Sequence, residues 1–209
     1  MSSIPARTRI RKSPVERREE ISAAAIALAL EQGLLAVTLR GIAARVDVAS
    51  GLVAHYAPSM DDLVAATFSA IVRAELDDVR ALLADGPDAI HRVGMLVDTL
   101  LDGSRDDVTL VWVQAWALGP RSDALAAAVR EEMDAWQELI ADVVADGVAL
   151  GTFDVPDAAA VAWQILAMID GLNAHSLVHW HAAPDRRDLT RRSIAALLGV
   201  PADALAASP

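Results

Sequence analysis

The sequence predicts an all-α fold, with three short helices at the N-terminus followed by a larger helical bundle. Three observations carry that expectation. Apolar residues make up 54% of the 209-residue chain, and much of that share is Ala, the strongest helix former. The 11 Gly and 9 Pro punctuate the apolar runs. Those runs repeat at i, i+3, i+4 and i+7, the period of one buried helical face.

The elements follow in order. Residues 1–13 read as a flexible basic arm, because Arg7, Arg9, Arg11 and Lys12 have no apolar periodicity around them. Such an arm is either a solvated tail or a phosphate and minor-groove contact. Ser13-Pro14-Val15-Glu16 starts a helix: Ser13 caps, Pro14 suits the first turn and Glu16 closes a capping box. Ile21, Ala24, Ala25, Leu28 and Gln32 mark one face, and Gly33 stops it. Thr38 opens a second helix with Leu39, Ile42, Ala43 and Val46 on its inner side. Asp47-Val48 breaks it, and a third helix runs from about Ala49 to Tyr56. Pro58-Ser59 ends that one, and Ser59-Met60-Asp61-Asp62 opens a fourth with acidic residues in its first turn. Two short helices joined by a tight turn form a helix-turn-helix pattern, whose second element enters the major groove.

Further helices are expected at 59–84, 87–103, 106–118, 122–150, 155–181 and 187–198. Gly86-Pro87, Gly119-Pro120, Gly151-Thr152 and Ala183-Pro184 separate them. The Ala-rich end, 201–209, is expected to fray. The chain thus divides into an arm (1–13), a DNA-binding unit (14–58), a helical body (59–200) and a tail.

Charge supports that division. The net charge is −11, yet residues 1–58 carry eight Lys/Arg against five Asp/Glu. The remainder carries ten against twenty-four. An acidic body repels phosphate, so DNA contact belongs to the first ~60 residues. The chain has no cysteine, which excludes disulfides and cysteine metal sites. The basic, polar N-terminus lacks the apolar stretch of a secretory signal. The run Leu96–Leu118 is broken by Asp98, Asp102, Arg105, Asp106 and Asp107, so no membrane span is expected. A soluble cytoplasmic protein follows.

No G-x-S-x-G, phosphate-cradling loop or catalytic cysteine is present, and the carboxylates scatter along helix faces, so no enzyme is expected. His175 and His179 lie four apart with His181 nearby. Without the glutamate of an H-E-x-x-H box, they read as a surface or dimer-interface cluster, not a metal site. No cofactor is expected.

The segment from Thr38 to Leu63 resembles the DNA-binding signature of the TetR family. Thr38, Ile42, Ala43, Val48, Gly51, Val53, Tyr56 and Leu63 match it, and the run Gly51-Leu52-Val53-Ala54-His55-Tyr56 resembles the BetI-like subgroup. The detailed likeness covers residues 14–68. Gly151-Thr152-Phe153, Val155-Pro156-Asp157-Ala158 and Asp170-Gly171-Leu172 are similar to the family's C-terminal half in outline.

The resemblance implies a dimeric, ligand-responsive repressor reading a palindromic operator. The third helix would lie in the major groove. Ser50, Leu52 and His55 would face bases, Leu52 against a thymine methyl and His55 at a base edge or phosphate. Gly51 would give the backbone room to approach. Tyr56 would donate to a phosphate. Arg40 would reach guanine or phosphate, and Thr38 would cap its helix or donate to phosphate.

All five tryptophans lie in the body. Trp112, Trp116, Trp136 and Trp163, with Gln114 and Gln164 as orienting groups, are expected to line an aromatic cavity for an apolar or cationic small molecule. Ordinary core packing is the competing reading. Asp170-Gly171 is expected to mark a close helix crossing, and the last two long helices to pair with their copies in a four-helix bundle.

Three positions depart from the family. Asp47 replaces a turn Gly, Ala57 a core Phe, and Met60 a phosphate-binding Lys. Phe68 is the expected filler of the space at Ala57. The alternative they raise is a helical dimer that binds a small molecule or protein but not DNA.

Overall fold

The computed structural model describes residues 12–180 and 183–205. Arg7, Arg9 and Arg11 of the expected arm lie outside them. The described residues form nine α-helices and two short 3₁₀ turns: α1 (Pro14–Gln32), α2 (Leu39–Arg45), α3 (Ser50–Tyr56), α4 (Met60–Ala84), α5 (Ala89–Leu101), α6 (Asp106–Leu118), α7 (Asp123–Ala149), α8 (Ala158–Ser176) and α9 (Ala183–Leu198), with the turns at Leu34–Ala36 and Gly119–Arg121.

Short polar side chains fix most helix starts. Ser13 caps α1 in a full capping box with Glu16. Thr38 accepts from the Gly41 amide at 3.0 Å. Ser59, Asp88, Ser122 and Asp157 each accept from the amide three residues on. Each cap satisfies an N–H that the helix itself leaves unpaired. Helix α6 differs: Arg105 occupies its cap position and makes no capping bond.

Helices α1–α3 pack into a small unit around Ile21, Ala25, Leu28, Ile42 and Val53, all buried. The long α4 leaves this unit and packs against α1 at one end and α7 along its length. Helices α5–α9 complete the bundle around Val72, Leu96, Val111, Ile140 and Ile165. Ion pairs brace its outside. Arg73 of α4 reaches Glu131 and Glu132 of α7, Arg92 joins α5 to Asp146 of α7, and Arg191 joins α9 to Asp98.

Four expectations need correction. The helix expected over 155–181 starts only after the Asp157 cap and ends at Ser176. His179 then adopts φ +56°, so His175 and His179 do not share a helical face. Among the described residues nothing lies near the missing Cβ of Gly171, so the close crossing expected there is not made by them. The tight approach is at Gly147, where an added Cβ would come within 2.1 Å of the Phe153 ring. The tail does not fray at once: Leu205 is buried at 1% exposure.

Candidate functional site

The first site is the outer surface of α2 and α3. Asp47, in the turn between them, has φ +52°. A short polar residue tolerates this left-handed conformation, so the turn survives its departure from Gly. Val53 is fully buried and Ala57 nearly so, which orients α3. Gly51 and His55 are exposed, and Ser50, Leu52 and Tyr56 are half-buried. No atom lies near the missing Cβ of Gly51, so the backbone there is open to approach.

The cations of this unit divide into two sets. Lys12 and Arg17 meet Glu20, and Arg45 is held by Glu31 through both guanidinium nitrogens at 2.7 and 2.5 Å. Arg40 is exposed and, among the described residues, has no carboxylate partner; neither has Arg18, whose guanidinium lies 5.9 Å from the Tyr56 ring centre. Arg40, Arg18, His55 and the Tyr56 hydroxyl are thus the groups left to meet phosphate or base edges. Met60 packs against the core and brings no charge. The ring of Phe68 is buried edge-on against Trp112 at 4.9 Å.

The second site is a cavity inside the body. It holds about 470 Å³ of empty space, its mouth included. Five elements converge there: Glu75 from α4, Leu100 from α5, Arg105, Thr109 and Trp112 at the start of α6, Met133 and Trp136 from α7, and Ile169, Asp170 and Asn173 from α8. Burial pushes the Glu75 carboxyl up to about 7, against the pull of Arg105 at 3.5 Å and a hydrogen bond from the Trp112 side chain. Burial alone pushes Asp170 up to about 7. An apolar surround disfavours the charged carboxylate. Among the described residues, the buried Trp136 indole N–H has no partner.

Of the six side chains expected here, Trp112 and Trp136 line the cavity. Trp116 stands behind Trp112, their ring centres 5.4 Å apart. Trp163 is 63% exposed and Gln164 is exposed, because α8 turns that face outward. Gln114 points elsewhere: its carbonyl oxygen accepts the Leu35 amide N–H at 3.1 Å, in the turn after α1. That ties α6 to the N-terminal unit. Gly33 makes the contact possible, because its φ is +83° and an added Cβ would lie 2.5 Å from the Gln114 carboxamide.

Sequence reasoning missed Glu75, Arg105 and Asp170 as a group. They are 30 and 65 residues apart in sequence and look like three more surface charges. Only Glu75 carried a signal: it stands on the apolar face of α4, one residue before Leu76 and four after Ile71.

Residues 21–67 match the model of "Bacterial regulatory proteins, tetR family", and residues 89–199 match that of "BetI-type transcriptional repressor, C-terminal". The chain belongs to the TetR family of transcriptional regulators. Its similarity to the HTH-type transcriptional regulator BetI of Stenotrophomonas maltophilia is 31% identity over 159 residues, 75% of this chain and 79% of that protein. A Saccharomonospora viridis regulator solved in complex with choline superposes with a TM-score of 0.74 at 25% identity, over 84% of this chain and 94% of that one. A Pseudomonas aeruginosa regulator shares the fold, with a TM-score of 0.75 at 20% identity over 90% and 93%. Regulators of this family bind DNA and small-molecule effectors rather than catalyse. Among the described residues, no helix of this TetR-family chain is long and apolar enough to cross a membrane.

Proposed function

We propose that the chain is a homodimeric repressor that releases operator DNA on binding a small organic cation of the choline type. The observation that carries the effector class is the cavity: two tryptophans, the buried carboxylate of Glu75 and the half-buried carboxylate of Asp170 in one mostly apolar lining. Aromatic faces and a carboxylate are the chemistry that holds a quaternary ammonium. The choline bound by the S. viridis relative supports the same class.

The unit 14–58 is the DNA reader. Ser50, Gly51, Leu52 and His55 face the major groove, and Arg40, Tyr56 and the Thr38 region meet the backbone. The body 59–200 senses the effector and dimerises. Trp163, Val178, Trp180 and Leu189, on or between α8 and α9, are each more than half exposed. A second copy packed on these helices would cover them and set two α3 helices at one palindromic operator.

Coupling runs through two helices. Helix α4 carries Glu75 and packs on α1, and α6 carries Trp112 on the cavity side and Gln114 at the Leu35 amide. An effector that favours another setting of α4 and α6 shifts the separation of the α3 pair and lowers operator affinity.

The test is titration of labelled DNA from upstream of the gene, against unlabelled competitor at two salt concentrations. Wild type is expected to bind saturably. Arg40→Ala and Tyr56→Phe are expected to weaken binding by roughly fivefold or more each, without unfolding the dimer. Wild-type affinity in both variants would show that α2 and α3 dock differently. Failure of the folded dimer to bind this or any genome-selected site would favour a ligand-binding protein silent toward DNA, the reading that Asp47, Ala57 and Met60 support.

A further inference from the structure

The two cavity carboxylates are not equivalent. Glu75 already has a cation: the Arg105 guanidinium lies 3.5 Å away, and the Trp112 side chain donates to the same carboxylate. Asp170 faces the cavity from α8, and among the described residues neither a cation nor a hydrogen-bond donor meets it. An uncompensated carboxylate in an apolar enclosure is costly, and a bound cation removes that cost. Resting on the cationic-effector reading above, we propose that Asp170 is the specificity-determining residue that takes the effector's positive charge. Arg105, by occupying Glu75, limits the site to one charge.

The geometry gives each partner a reason. A second ligand cation placed at Glu75 would have to displace the Arg105 guanidinium and would be repelled by it. The effector is therefore a monocation. Its positive end sits at Asp170 against the indole faces of Trp112 and Trp136. Trp136, which lines the same cavity, has a buried indole N–H with no partner among the described residues, and an oxygen-bearing ammonium would offer it an acceptor.

Titration calorimetry on the intact protein near pH 8 tests this with three probes: choline, its uncharged isostere 3,3-dimethylbutan-1-ol, and the permanently dicationic bis-quaternary hexamethylethane-1,2-diaminium. Wild type is expected to prefer choline over the isostere by roughly tenfold or more. Asp170→Asn is expected to abolish that preference. Asp170→Leu gives a second reading of the same loss. Both Asp170 variants are expected to melt no lower than wild type without ligand, because they remove an unpaired half-buried carboxylate. The dication is expected to bind roughly tenfold more weakly than choline.

If wild type shows no preference for charge, the cationic-effector reading falls and this assignment with it. If wild type shows the preference and Asp170→Asn retains it, the effector class stands and the assignment to Asp170 is overturned. Equal binding of choline and the dication overturns the single-charge limit.

Discussion

Gly33→Ala probes the joint between the DNA-reading unit and the body. Gly33 has φ +83° and ψ 169°, a region open in practice to glycine alone, where another residue costs about 1–3 kcal/mol. The new Cβ would also lie 2.5 Å from the Gln114 oxygen and 2.6 Å from its nitrogen. Gln114 must then move, and its bond to the Leu35 amide, worth about 1 kcal/mol, is lost. The substitution is expected to destabilise by about 2–4 kcal/mol, lowering the melting temperature by roughly 5–15 °C for a chain of this size. Gln114→Ala alone is expected to cost only about 1 kcal/mol, because Leu35 is 64% exposed and its freed amide can reach water. Once Gln114 is truncated, the three nearest contacts of the added methyl are gone, so the double variant should fall short of the sum by about 1 kcal/mol. Circular dichroism melts of the four proteins read this cycle. Strict additivity, or a harmless Gly33→Ala, would refute the contact as drawn.

Two further outcomes follow from the same geometry. Glu75 and Asp170 stand at about 7 in the folded chain, above their ordinary 4.5 and 3.8. The folded state holds protons that the unfolded chain has released, so their stabilisation is full below the unfolded values and is lost as pH rises through about 7. Effector-free protein is expected to melt higher at pH 6 than at pH 8, with a slope of at most about 1.4 kcal/mol per pH unit from each group, and Asp170→Asn is expected to flatten it; an unchanged slope in the variant would place that titration elsewhere. Gln114→Ala is also expected to shrink the ratio of operator affinities without and with effector by roughly fivefold, if the bond of about 1 kcal/mol is made in one state only, and fluorescence anisotropy on operator DNA measures that ratio directly.

The fold was legible because its signals are local. Caps at Ser13, Thr38 and Ser59 and apolar spacing placed nearly every helix within a few residues. The α8 terminus was not, because nothing in the run from His175 to Trp180 signals that His179 takes a left-handed turn. The helix-turn-helix and its family were readable from one short segment. The cavity was readable only in its aromatic half. Which face of α8 turns inward depends on α4, α6 and α7 together, so Trp163 looked the equal of Trp136. Gln114 looked like a pocket residue for the same reason, since its partner lies 79 residues earlier. Asp170 and Glu75 acquire their character from burial, which spacing does not encode.

The most direct measurement of the central claim follows the complex of this protein with upstream DNA by fluorescence anisotropy during titration with choline and related cations. The DNA is expected to be released as the cation saturates a site quenching Trp112 and Trp136, with the midpoints of release and quenching moving together. A saturable cation that quenches those tryptophans while the DNA stays bound would contradict that claim.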